Sequence, residues 1–333
     1  MKRIVNFIIL FIIYYPFFIS CKKSVVDEDK LPEKQRIPVS QFESLWSNAH
    51  EKESFLFFTD PHLLSSNNNF TDKVRSNLKE SFTKAKELYD NLPLSFCLCG
   101  GDWLNSGDTQ EMAQQKLLFA DNTMKEMFDN YYKIFGNHDT NYQGVISEDN
   151  KNNGNLLRSF IDNEFYSETG SAYYTFKTNN SEFFILNSGI DWNIKIDDYR
   201  LEQLIWLGEQ LNNSLTAHKI IGIHMFYSVT PTLLPMSEEI ASICKAFNSR
   251  EKYTFSNKEY DFSAAQGTIH LILTGHRHTD FIEDVNGIPV VGTTQFLING
   301  TPTFDLYILD YDTGYANLIR VGVGNNRRVK MYM

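Results

Sequence analysis

The chain has 333 residues, of which 42% are hydrophobic and 22% charged, with 18 Gly and 9 Pro. That composition excludes a disordered tail, a collagen-like rod and a small disulfide-stapled module, and it supplies enough apolar residue for a sizeable core. Lys plus Arg number 31 against 41 Asp plus Glu, and the net charge of −10 repels a phosphate backbone at long range, so no nucleic-acid binding is expected.

Lys2 and Arg3 precede an apolar run from Ile4 to Ile19, interrupted only by Asn6 and Pro16, and Ser20 and Cys21 follow it. A positive start, an apolar stretch and a small residue before a cut site read as a secretory signal over residues 1–20. The run is shorter than the ~20 residues a membrane-spanning helix needs. Phe18-Ile19-Ser20-Cys21 resembles the lipobox of bacterial lipoproteins. The resemblance implies a lipid anchor on Cys21 and a place in the bacterial cell envelope, on a periplasmic or surface face. Phe18 stands where that motif carries an aliphatic residue, and an uncleaved anchor or simple secretion are the alternatives. Residues 21–40 are charged, contain two Pro and have no apolar period, which reads as a flexible tether. One domain over residues 41–333 follows.

Ser54–Thr59 is a Phe-rich apolar run too short for a helix and reads as a buried strand ending in Asp60-Pro61-His62. Val74, Leu78, Phe82, Ala85 and Leu88 have helical spacing over residues 72–89. Leu94–Cys99 is the next strand, ending in Gly100-Gly101-Asp102; a helix over residues 109–129 leads to a third strand, Tyr131–Phe135, which ends in Gly136-Asn137-His138-Asp139. This β-α-β-α-β order signals parallel strands with helical crossovers. Beyond it come a hairpin, Ala172–Lys177 with Glu182–Asn187, and a helix over residues 198–211. Lys219–Ile223 is a strand ending in His224, a helix covers Ser237–Phe247, and the strand Ile269–Thr274 ends in Gly275-His276-Arg277-His278. The hairpins Phe281–Asp284 with Ile288–Val291 and Phe304–Leu309 with Tyr315–Val321 finish the chain.

Five strand ends therefore carry polar clusters, and in an α/β sheet the ligand site lies beyond the carboxyl ends of the strands. Mixed oxygen and imidazole donors suit Mn, Fe, Zn or Co. Two dications against the carboxylates of Asp60 and Asp102 leave a positive site that attracts a phosphoryl group despite the acidic chain.

Asp60-x-His62, Gly101-Asp102-x-x-Asn105, Gly136-Asn137-His138-Asp139, Gly222-x-His224 and Gly275-His276-x-His278 resemble, in order, the five motifs of the calcineurin-like metallophosphoesterases. The resemblance implies an α/β fold of four layers, with two mixed β-sheets packed face to face and helices outside. It also implies two metal ions, one held by Asp60, His62 and His278, the other by Asn137, His224 and His276, with Asp102 bridging them. A hydroxide shared by the metals would attack phosphorus in line, His138 would protonate the leaving oxygen, and Asp139 would hold the His138 ring from behind. The substrate would be a phosphorylated small molecule or a lipid headgroup, as a monoester or a diester; the oligomeric state stays open. Purple acid phosphatases carry a Tyr three residues after the bridging Asp. Here that residue is Asn105, so no iron–tyrosinate site is expected, and Asn105 either hydrogen-bonds near the site or forms a turn.

Other residues are less specific. His50, His218 and His270 match no motif and read as surface or core residues. Trp103, Phe226 and Tyr227 follow ligand positions and either pack or line a cleft. Arg277 points away from its two His neighbours on strand geometry. Cys97, Cys99 and Cys244 read as small buried hydrophobes, although in an exported protein Cys244 has the option of pairing with either of the others. The insertion at residues 225–262 and the Asn-rich stretch 141–155 are expected near the site.

Overall fold

The computed structural model describes residues 39–62, 72–141, 160–188, 198–228 and 232–333. The signal segment, Cys21 and nearly all of the tether lie outside these residues, as does the Asn-rich stretch after Asn141. Among the described residues no helix is long and apolar enough to cross a membrane.

A short helix, α1 (Val39–Asn48), precedes the parallel unit. That unit consists of β1 (Lys52–Phe58), α2 (Asp72–Asn91), β2 (Phe96–Cys99), α3 (Gln110–Met127) and β3 (Tyr131–Lys133). β1 pairs in parallel with β2, and β2 with β3. Strand alternation gives β1 two jobs, because successive side chains point to opposite faces. Phe58 meets Phe82 of α2 edge-on at 4.8 Å, on the helix side. Phe55 faces the second sheet, where it meets Phe183 edge-on at 5.5 Å.

The second half builds that sheet from β4 (Tyr174–Lys177), β5 (Ser181–Leu186), β6 (His218–Ile223) and β9 (Thr268–Thr274), with β10 (Phe281–Val285) and β11 (Ile288–Gly292) beyond. Helices α4 (Asp198–Asn213) and α5 (Pro235–Ser249) lie among these strands in sequence. So does a small separate hairpin, β7 (Lys252–Phe255) with β8 (Lys258–Asp261). A two-residue hairpin, β12 (Leu297–Ile298) with β13 (Thr301–Pro302), follows. The chain then returns to the first sheet as β14 (Phe304–Asp310), β15 (Tyr315–Val321) and β16 (Arg327–Lys330). The first sheet has the order β16-β15-β14-β1-β2-β3 and the second β10-β11-β9-β6-β5-β4. Both are mixed: β14 joins β1 antiparallel, whereas β5, β6, β9 and β11 run parallel. Leu78, Phe82 and Leu117 of α2 and α3 bury with the first sheet, and Leu204, Leu207 and Ile240 of α4 and α5 with the second. The result is the four-layer α/β arrangement expected from the sequence.

Phe55, Phe96, Phe176 and Phe183 interlock where the sheets meet, with neighbouring ring centroids 4.8–5.5 Å apart. Cys97, Cys99 and Cys244 are all buried free thiols, so Cys244 pairs with neither of the others. The β7–β8 hairpin, α1 and β16 were not anticipated, and the third parallel strand ends at Lys133 rather than Phe135.

At the end of the second sheet away from the metal-ligand candidates, His270 donates from Nδ1 to the Tyr332 carbonyl at 2.6 Å and meets His218 Nδ1 through Nε2 at 2.8 Å. Tyr311 stacks on His218 at 3.6 Å. Burial, and then the neighbouring His218, push the His270 imidazole from 6.5 down to about 4. An unfolded chain takes up a proton at this residue below about pH 6.5, whereas the folded chain does so only near pH 4. Stability is therefore lost as pH falls through that window, by up to about 3 kcal/mol from this residue. Urea unfolding at pH 7.5, 6 and 5 will show a steeper acid loss for the native chain than for His270→Gln; parallel profiles would contradict this assignment.

Candidate metal centre

Each chemistry-bearing segment leaves the carboxyl end of a strand. Asp60 and His62 follow β1, Asp102 follows β2, and Asn137, His138 and Asp139 follow β3, all in the first sheet. His224 follows β6, and His276 with His278 follows β9, neighbours in the second. The five ends converge. Donor atoms of Asp60, His62 and His278 lie within 4.8 Å of one another, as do those of Asp102, His224 and His276, and those of His62, Asp102 and His138.

The backbone is bent sharply to achieve this. Asp60, His62, Asp102, His276 and His278 all have left-handed φ values between 44° and 68°, a region costly for residues with a Cβ. Gly136 and Gly275 are required by contact: a Cβ on Gly136 would sit 2.1 Å from Asp102 Oδ1, and one on Gly275 would sit 2.1 Å from Thr59 Oγ1.

Both carboxylates are anchored by one oxygen and leave the other unbonded. Asp60 Oδ2 accepts from the Thr59 hydroxyl at 2.7 Å and from the His276 N–H at 3.0 Å. Asp102 Oδ1 accepts from the His138 N–H at 2.8 Å. The remaining oxygens, Asp60 Oδ1 and Asp102 Oδ2, are buried without a hydrogen bond, and so are Asn137 Oδ1 and His224 Nε2. Buried acceptors are rarely left so, because the desolvation cost goes uncompensated. His224 Nε2 lies 3.0 Å from Asp102 Oδ2, and His278 Nε2 lies 3.2 Å from Asp60 Oδ1. A cation among these atoms satisfies all of them.

The imidazoles are prepared as ligands. His62 Nδ1 faces the Leu104 carbonyl at 2.8 Å, and His224 Nδ1 faces the Gly100 carbonyl at 2.6 Å. A carbonyl only accepts, so each Nδ1 carries hydrogen and Nε2 is the nitrogen turned to the site, as in metal-ligating histidines held by an outer partner. Burial holds His62 low, and burial followed by the charge of His224 pushes His276 down to about 4, so both stay neutral. His224 goes the other way. Burial opposes its charge, but Asp102 and Asp60 outweigh that and push it up to about 10. Burial also opposes ionisation of Asp60 and Asp102, yet the neighbouring imidazoles, His224 foremost, hold both below the usual carboxylate range. Without a metal, a proton on His224 takes the place of the cation.

Asp139 does not sit behind the His138 ring, as the motif resemblance implied. Its fully buried carboxylate accepts the backbone N–H groups of Gly136, Asp102, Trp103 and Leu104 at 2.7–3.2 Å. The His138 ring partner is Ser106, with Oγ 3.1 Å from Nδ1, a residue that no motif singled out. Asn105 hydrogen-bonds at the site, donating to the His62 carbonyl at 3.2 Å. Trp103, Phe226 and Tyr227 pack in the interior; Trp103 meets Phe58 and Phe82 at 5.6 and 5.8 Å. Arg277 does turn away from its neighbours, though from a loop rather than a strand, to pair with Glu283 at 3.1 Å over the Phe281 ring. His50 is exposed, and His218 and His270 lie at the far end of the second sheet.

A model of the calcineurin-like phosphoesterases matches residues 53–280. The chain belongs to this family. It is a phosphoester hydrolase, its chemistry is metal-dependent, and the residues gathered above are the candidate ligands. A search of curated proteins finds no match. Among solved structures, the phosphoesterase is similar in fold to a dimetal phosphatase from Danio rerio, at 13% identity and a TM-score of 0.56, covering 84% of this chain and 99% of that one. Weaker likenesses, below a TM-score of 0.5, include purple acid phosphatase PPD1 from yellow lupin (Lupinus luteus) and GAP50 of Plasmodium. The first has 12% identity and a TM-score of 0.48, covering 84% of this chain and 54% of that one. The second has 11% identity and a TM-score of 0.47, with 85% and 90% covered.

Metal uptake by chelator-stripped phosphoesterase should release protons at pH 7, since His224 must lose one, and should bind more tightly as pH rises. The same titration should raise the melting temperature. Asp102→Asn should remove most of that rise. Calorimetry in two buffers of different ionisation enthalpy checks the first point; proton uptake, or none, would refute it.

Proposed function

We propose that this phosphoesterase holds two transition-metal ions, drawn from Mn, Fe, Zn and Co, and cleaves a phosphomonoester or phosphodiester at the bacterial envelope, tethered there through lipidated Cys21. One observation carries the chemical part. The buried donors without hydrogen bonds include Asp60 Oδ1, Asp102 Oδ2, Asn137 Oδ1 and His224 Nε2, from four strand ends that meet in one site. In this reading Asp60, His62 and His278 hold one ion, Asn137, His224 and His276 hold the other, and Asp102 lies between. Ions of this kind make water nucleophilic near neutral pH and offset negative charge on phosphoryl oxygens.

The chain's own groups do the rest. Asp139 binds the loops after β2 and β3 to each other, so that Asp102, Asn137 and His138 keep a common geometry. His138 uses Nδ1 for Ser106, which leaves Nε2 to give a proton to the leaving oxygen. Glu283 neutralises Arg277 and holds it away, so attraction of the phosphoryl group falls to the metal site. The apolar segment before Cys21 supports the envelope location, and a membrane tether favours a phosphorylated small molecule or a lipid headgroup as substrate.

Two experiments test this. Metal analysis of protein from about Pro38 onward, with hydrolysis of p-nitrophenyl phosphate and its bis ester, should give near two ions per chain and activity that chelation abolishes and one metal restores. His138→Ala should then lower kcat by about 10²–10⁴-fold. No bound metal and no turnover with any ion would reject the function. In cells, Cys21→Ser should move the protein out of the membrane fraction and remove its acyl label; unchanged fractionation would reject the anchor.

A further inference from the structure

Ser106 lies in a loop that is fixed from both sides. Asp108 donates its N–H to Asn141 Oδ1 at 2.9 Å, and Asn141 Nδ2 donates back to the Asp108 carbonyl at 2.7 Å. The Asp108 carboxylate is paired at 2.8 Å with Lys116 of α3, both buried. Asn105 ties the near end of the loop to His62. Within this frame Ser106 takes a left-handed φ of 60°, where glycine would cost less.

The side chain that occupies this costly position reaches two atoms of one residue. Its Oγ lies 3.1 Å from His138 Nδ1 and 3.3 Å from the His138 carbonyl oxygen. A serine hydroxyl has one hydrogen and two lone pairs. If the hydrogen pointed at Nδ1, an oxygen lone pair would face the carbonyl oxygen with nothing between them. With the hydrogen on the carbonyl, the lone pair meets an Nδ1–H, and every group is satisfied. The same arrangement serves the imidazolium, in which both ring nitrogens carry hydrogen.

We propose that Ser106 is a positioning residue for His138: its hydroxyl holds the Nδ1–H in both protonation states, so that the proton in transit is always the one on Nε2. This rests on the reading above, in which His138 protonates the leaving group. As the oxygen of the attacking water bonds to phosphorus, the bond from phosphorus to the leaving oxygen breaks; its electron pair goes to that oxygen, which takes the Nε2 proton and departs as an alcohol. His138 is left neutral with hydrogen on Nδ1, still bonded to Ser106, and Nε2 regains the proton that the attacking water gives up. Without the hydroxyl, the ring is free to rotate and the neutral form to exchange tautomers, and the fraction correctly poised falls.

The test uses Ser106→Gly in the full, metal-loaded chain, because glycine suits the left-handed backbone and the fold is kept. The melting temperature should be unchanged or higher. Protonation matters most for poor leaving groups, so kcat on phenyl phosphate should fall about tenfold, kcat on p-nitrophenyl phosphate less than about threefold, and KM little. Added to His138→Ala, the change should have no further effect. The ¹⁵N spectrum of neutral His138 should shift from the Nδ1–H form toward a mixture. Equal losses on both esters, an undiminished loss in the His138→Ala background, or an unchanged spectrum would overturn the role of Ser106. A wild-type chain that does not turn over, or one indifferent to His138→Ala, would instead overturn the functional reading beneath it.

Discussion

The centre depends on one buried carboxylate. The two oxygens of Asp139 gather four backbone N–H groups, one from the turn after β3 and three from the turn after β2. Those turns carry Asp102, Asn137 and His138, so their relative geometry is set by a group that touches no substrate. The arrangement has an electrostatic condition. Burial and the adjacent charge of Asp102 push the Asp139 carboxyl up to about 7, yet four donors leave an acceptor-only role for its oxygens. Positive charge near Asp102 resolves the conflict. A proton on His224 supplies it in metal-free protein, and a metal ion would supply it more fully.

The second constraint is the convergence of side chains two residues apart. On a regular strand, Asp60 and His62, or His276 and His278, would share a face but remain several ångströms apart along the chain. Left-handed backbone at all four bends these segments so that Asp60 and His62 reach one donor group with His278, and His276 reaches the other. Each such residue is strained, and the surrounding contacts hold it there. Asp60 receives hydrogen bonds from Thr59 and from the His276 N–H, so the strained segments of the two sheets stabilise each other across the site. Backbone strain and buried atoms without hydrogen bonds thus coincide at the metal-ligand candidates.

The strand ends were legible because buried parallel strands read as short apolar runs, and each stops abruptly at a polar cluster. That contrast fixed β1, β2, β6 and β9 and, with them, the candidate ligands. The β7–β8 hairpin lacks it: its residues alternate between exposed and more buried positions, and of its eight residues only Tyr260 is buried. β16 is short and charged, and it is held at the sheet edge by pairing with β15 rather than by an apolar run of its own. Ser106 was invisible for a different reason. A hydroxyl in a polar loop is ordinary in composition, and only the turn that carries it reveals which nitrogen it meets. Asp139 was identified as a site residue, but its partners are backbone groups, and backbone partners leave no trace in a sequence pattern.

Because the ligands come from both sheets, the site also needs the sheets held in register, and apolar packing alone is a loose means to that end. An ionic cluster beside His278, buried at Arg320 and Asp305 and open at Asp280, supplies direction. Arg320 on β15 of the first sheet bonds Asp305 on β14 at 2.7 Å, and through its other nitrogens it reaches Asp280 in the His278 loop at 2.6 and 2.9 Å. Arg327 on β16 adds a bond to Asp305 at 2.6 Å and another to the Gly292 carbonyl at the end of β11 in the second sheet. Thr294 completes the frame, donating its hydroxyl to the His278 carbonyl and its N–H to Asp280. Buried ion pairs contribute little net stability over apolar replacements, because desolvation offsets their attraction. Their geometry is strict, however, and here it connects the two sheets within two residues of a metal-ligand candidate. β15 and the edge strand β16 carry no ligand candidate themselves, but their arginines hold the loop that places His278 beside Asp60.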